Sequence, residues 1–183
     1  MRVALTLEQC WHDVPGGTAV AALELARALD ETGEVELVGI SARHSGPPAE
    51  PQWQPPIKVT AMPLPRLALY EAWLRLRRPA IGGVDVVHAT TVIVPPRKRT
   101  PLVVTVHDLA WLHDPEHFTG HGVRVFNRGL RLIRDDADLV FCSSLATLAD
   151  CRSHGIDDGR LRHVPERSAL SRTGTGIRGA LSP

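Results

Sequence analysis

Two unbroken, β-branched runs constrain this chain more than anything else in it: VDVVHA at 84–89 and LVVTVH at 102–107. Neither alternates strictly between polar and apolar, so neither suits a strand with one face in water. Such runs fit central strands of a parallel sheet, covered on both faces. Parallel neighbours need long crossovers, and helix-patterned segments supply them here. Further apolar runs fall at 3–7, 35–40, 57–62, 139–143 and 160–164, with helical spacing at 18–31, 67–77, 123–135 and 145–154. The fold class expected is therefore α/β, a mostly parallel sheet with helices on its two faces.

Local signals sharpen several of these segments. In 18–31, Glu24, Arg27 and Glu31 form a polar stripe, while Val20, Leu23, Ala26 and Leu29 are expected to bury. Gly33 is placed to end that helix in the left-handed conformation. Proline and polar residues make 45–56 an exposed loop. Segment 67–78, LALYEAWLRLRR, has two readings. It is a helix on the sheet with its arginines in water, or a basic amphipathic helix resting on anionic lipid headgroups. Arg97, Lys98 and Arg99 make a short basic loop that solvent alone can satisfy.

With 183 residues, 43% of them hydrophobic, the chain has material for one substantial core. A formal net charge of +1 gives no bulk attraction to nucleic acid. Cys10, Cys142 and Cys151 match no metal spacing or disulfide framework, so a reducing cytoplasm is expected. Glu8, His12 and Asp13 interrupt the N-terminal apolar stretch, against a signal peptide, and no run approaches a membrane span. After residue 166 the sequence SALSRTGTGIRGALSP loses both periodicities. A domain at 1–166 is thus expected, followed by a disordered or non-homologous tail at 167–183.

In a doubly wound sheet, ligands gather beyond the carboxyl ends of the strands. Three sets of residues there carry chemistry. Gly16, Gly17 and Thr18 form a glycine turn into a helix, whose free N–H groups suit phosphate oxygens. The turn fits neither the dinucleotide nor the P-loop pattern, and two glycines also make a plain turn. His107 and Asp108 end a strand; they can bind a sugar hydroxyl or phosphate, or simply tie down the next loop. The third set is the series His107, His113, His117 and His121. Pro115 and Gly120 argue against the continuous helix that would align His117 and His121 for a metal, so no metal site is expected.

In order, PGGTAVAALELARAL, DVVHA, VTVHDLAWLHDPEHF, ADLVFCSS and RLRHVPE resemble the N-terminal domain of glycosyltransferase family 4. VHDLAWLHDPEHF looks most like the bacterial mannosyltransferase-like branch that elaborates surface polysaccharides. The resemblance implies a Rossmann-like three-layer domain, one half of a GT-B fold. It also implies retaining hexosyl transfer from a nucleotide-sugar to a glycan or lipid-linked acceptor, with no cofactor and no metal. By resemblance, Gly16 and Gly17 lie against the donor phosphates, with Thr18 beside them. His107 contacts the transferred sugar with Asp108 beside it, and Ser143 and Ser144 face the interdomain region. The cytoplasm expected from the cysteines fits such an enzyme, and the lipid-facing reading of 67–78 would add peripheral contact at the inner face of the membrane. The family's second, donor-binding domain has no counterpart after residue 166, so a truncated form is expected, with activity alone improbable. A silent Rossmann-like binding module is the alternative.

Overall fold

The computed structural model describes residues 1–165. In chain order, β1 is Arg2–Thr6, α1 Gly16–Thr32, β2 Glu36–Ser41, β3 Val59–Ala61 and α2 Arg66–Glu71. There follow β4 Val86–Ala89, β5 Leu102–Val106, α3 Ala110–His113, α4 Gly120–Asp136, β6 Leu139–Cys142, α5 Leu145–Ser153 and β7 Leu161–His163. The seven strands lie in the order β3-β2-β1-β4-β5-β6-β7, and each printed pairing between them is parallel. The sheet is thus parallel throughout the described residues, a firmer version of the expected "mostly parallel". The expected tail at 167–183 lies outside the described residues.

Strand alternation divides the core in two. Ala4, Val38, Val87, Val104 and Val140 point to one face, where Trp73, Leu130 and Ile133 pack on them. Val3 and Leu5 point to the other, against Ala19, Ala22, Leu23 and Ala26 of α1. The expected burial of Val20 does not hold, since it is 47% exposed. Three small alanines let α1 sit close to the sheet, and their stripe, not Val20, faces inward. Gly33 caps α1 with φ 63°, as its sequence position requires.

Two helices depart from their expected bounds for local reasons. α4 starts at Gly120 and not at 123, because Thr119 caps it, its Oγ1 accepting from the Gly122 N–H at 3.0 Å. Further along α4, Gly129 lets the helix approach the chain after β4; a Cβ there would stand 2.3 Å from the Val92 carbonyl oxygen. α2 widens into a π-helical turn, Ala72–Leu76, and ends on Arg77 at φ 52°. Leu69, Trp73 and Leu74 are buried, whereas Leu67 and Leu76 are exposed. Its arginines are not all in water: Arg77 pairs with Asp136 and donates to the Trp73 carbonyl at 2.9 Å. In the basic loop, Arg97 likewise pairs with Asp138 at 2.6 Å.

Candidate functional site at the carboxyl edge of the sheet

Strand order reverses between β1 and β4, so the chain leaves these two strands in opposite directions and opens a crevice. Hydroxyl and amide groups fasten its floor. The Thr90 N–H donates to Thr6 Oγ1 at 3.0 Å, and Gln9 Nε2 donates to Thr90 Oγ1 at 2.8 Å. Thr90 Oγ1 donates in turn to the Thr6 carbonyl. All three side chains are buried and joined by these bonds, which makes this edge rigid.

His107 follows β5 and reaches across to the same junction. Its Nε2 bonds the Thr90 carbonyl oxygen at 2.9 Å. A carbonyl only accepts, so Nε2 carries a proton. The His107 carbonyl accepts from Thr147 Oγ1 at 3.0 Å and from Ser143 Oγ. Asp108 is exposed, and its Oδ1 accepts from the Ala110 N–H at 3.0 Å. This carboxylate therefore ties down the entry to α3, and it keeps acceptor capacity beyond that one bond.

Thr18, His107 and Asp108 line a single cavity of about 640 Å³ above this edge. Gly16 and Gly17 are exposed at the start of α1, immediately before Thr18, with Gly16 at φ 66°. Ser143 and Ser144 do not line the cavity. Ser143 supports the His107 backbone, and Ser144 caps α5 by accepting from the Thr147 N–H at 3.0 Å. Much of the cavity wall is apolar and comes from residues that the strand-edge reading did not single out, among them Trp111, Val125 and Phe126. Trp111 donates from Nε1 to Asn127 Oδ1 at 3.1 Å and leans on Phe126, with centroids 5.0 Å apart.

Sequence reasoning also missed Glu8. It is 4% exposed, its Oε2 accepts from the Ala42 N–H at 2.6 Å, and His44 Nε2 lies 3.0 Å from its carboxylate. Trp11 stacks on His44 at 4.9 Å, and both border a second cleft of about 290 Å³. The one available signal was positional: polar Glu8 and Gln9 directly follow an apolar strand, at the edge where ligands collect.

The remaining histidines disperse. His113 pairs with Asp150 at 2.7 Å, an interaction that raises its pKa. His117 sits on a separate 3₁₀ turn, Pro115–His117, and His121 is in the first turn of α4. Among the described residues, no group of three His, Cys, Asp or Glu side chains is arranged to hold a metal ion. No described helix is long and apolar enough to cross a membrane. The three cysteines are buried, as small apolar side chains would be. Cys142 and Cys151 belong to one core cluster and Cys10 to the other.

A parallel sheet with this order and a cavity at its reversal point defines a Rossmann-like α/β domain, matching one half of a GT-B glycosyltransferase. Residues 15–166 match Glycosyltransferase Family 4, and the chain belongs to that family. Similar solved structures include Anabaena HepE in complex with UDP, at 19% identity and TM-score 0.55, covering 90% of this chain and 44% of that one. HepE with UDP-glucose gives TM-score 0.55 at 19% identity, over 90% of this chain and 43% of that one. The apo lipopolysaccharide outer core galactosyltransferase WaaB gives TM-score 0.55 at 15% identity, over 93% of this chain and 47% of that one. The chain thus spans less than half the length of these structures. No curated protein gives a significant match.

Proposed function

We propose that this chain forms the acceptor-side wall of a cleft where a hexosyl group passes from a nucleotide-sugar to an acceptor hydroxyl, with retention at the anomeric carbon. The bond from that carbon to the nucleoside diphosphate breaks, a bond to the acceptor oxygen forms, and the acceptor's proton leaves with the diphosphate or to solvent. The donor diphosphate lies against Gly16, Gly17 and Thr18, where free N–H groups at the start of α1 suit phosphate oxygens. His107 orients the transferred sugar, and Asp108 accepts from one of its hydroxyls. Ser143 and Ser144 contribute from behind, through the backbone of His107 and the cap of α5.

One observation carries this reading: Thr18, His107 and Asp108, separated by about ninety residues of chain, line one cavity at the reversal point of the sheet. HepE, a similar fold, has been solved with UDP and with UDP-glucose, which supports a nucleotide-sugar donor. A mannosyl donor is the first to try. The second, donor-binding wall is supplied by a further domain, and no resident metal takes part. The protein works in the cytoplasm, at the inner face of the membrane, with residues 67–78 against it.

The test joins this chain to a donor-binding half from the same family and follows transfer with GDP-mannose and UDP-glucose. The His107→Ala variant is expected to lose at least about tenfold in kcat while still folding, as circular dichroism checks. Undiminished turnover and donor affinity would remove His107 from the mechanism.

A further inference from the structure

The cavity holds a polar group that neither the fold nor the transfer proposed above has used. Gln9 lines it, is 3% exposed, and stands on the 3₁₀ turn Glu8–Trp11 that follows β1. Among the described residues its side chain makes a single hydrogen bond, from Nε2 to Thr90 Oγ1 at 2.8 Å. The carbonyl oxygen Oε1 has no partner there, yet no fully buried side-chain oxygen or nitrogen in the described residues is left unsatisfied. Oε1 is therefore not sealed in. The small surface that Gln9 keeps opens on the cavity.

The proton count at Thr90 fixes which end of the amide faces inward. The Thr90 hydroxyl has one hydrogen, and its contact with the Thr6 carbonyl takes it, because a carbonyl only accepts. Thr90 Oγ1 can then only accept from Gln9, so the NH₂ end of the amide points to Thr90 and the oxygen points away. Thr90 also holds His107, whose Nε2 donates to the Thr90 carbonyl at 2.9 Å. One residue at the reversal point of the sheet, fastened to Thr6 through its own N–H, thus aims two side chains at one cavity. The other walls are largely apolar, and hydrocarbon cannot satisfy a carbonyl oxygen that a ligand cuts off from water. A ligand hydroxyl can.

We propose that Gln9 Oε1 accepts a hydrogen bond from a ring hydroxyl of the transferred hexose, and that Thr90 is the positioning residue for both Gln9 and His107. This rests on the transferase reading and deepens it, since it names a residue that selects sugars by one hydroxyl. An acceptor sugar carries the same chemistry, and the assay separates the two sources.

The joined two-half protein is assayed with GDP-mannose and UDP-glucose and with donors deoxygenated at each ring position in turn. In the parent, one deoxy donor is expected to lose about three- to tenfold in kcat/KM. Gln9→Leu should erase that difference, because the partner of the hydroxyl is gone. Thr90→Val, which keeps the carbonyl that holds His107 but has no hydroxyl, should erase it too, and Thr90→Ser should keep it. Circular dichroism verifies folding, and Gln9→Met replaces Gln9→Leu if that one does not fold. A side chain that only bolts two loops together would give parent and variants the same deoxy profile, and that result overturns the proposal. A penalty on deoxy acceptors that Gln9→Leu erases, with none on deoxy donors, overturns the assignment to the transferred sugar. The two readings fail separately. A joined protein that transfers nothing sinks the transferase reading, and the contact is then read on the chain alone. There D-mannose or D-glucose should shift the Gln9 side-chain amide resonances in a nitrogen-15 spectrum, and no shift with either sugar overturns the contact.

Discussion

His88 makes the stability of this domain depend on mild acid, by an amount that can be worked out. The side chain sits in β4, 6% exposed, with Nε2 2.8 Å from Thr105 Oγ1 and its ring edge-on to Phe141, centroids 5.6 Å apart. Burial, aided by the nearby His107, lowers its pKa from 6.5 to about 4. At neutral pH the imidazole is uncharged whether the chain is folded or not, and it contributes no pH dependence. Between 6.5 and about 4 the unfolded chain binds a proton that the folded one refuses, so stability falls as pH falls. Below about 4 both states are protonated and the loss stops growing. At about 1.4 kcal/mol per pH unit, the full loss is on the order of 3 kcal/mol. Urea unfolding at neutral pH and near pH 4.5, on the parent and on His88→Asn, isolates this share. The parent should lose about 2–3 kcal/mol more than the variant over that interval. The reasoning is refuted if both lose the same amount, or if an NMR titration finds His88 protonating near 6.

Three further outcomes bear on the fold and the site. Gly129→Ala drives a methyl to 2.3 Å from the Val92 carbonyl oxygen, so it should cost about 1–3 kcal/mol despite the gain in helix propensity. Calorimetry reads this, and an unchanged midpoint would mean that α4 can move off the sheet freely. Glu8→Ala leaves the buried Ala42 N–H without its partner and should cost about 1–3 kcal/mol by chemical denaturation; a neutral result would show that water replaces the carboxylate. In the joined two-half protein, transfer should survive EDTA within about twofold, and abolition restored by magnesium would contradict metal-free transfer.

What the sequence determined by itself is the set of elements and their class. The runs at 84–89 and 102–107 became β4 and β5 in the middle of the sheet, because a strand covered on both faces has no position that tolerates sustained polarity. Gly33 and the punctuation around Pro115 likewise acted where they stand, through backbone conformations that a few neighbouring residues dictate. The glycine turn, His107 and Asp108 were legible as an edge, since the end of each strand marks it. Tertiary structure alone decided which side chains meet there. Gln9 reaches Thr90 across 81 residues and Glu8 reaches His44 across 36, and both contacts depend on strand order, which local periodicity does not encode. The apolar hollow arises the same way. α2 with its π-helical turn and α4 each spend one stripe on the core, and only their packing beside each other turns the leftover edges, Leu67 and Leu74 on one and Val125 and Phe126 on the other, into walls of one cavity.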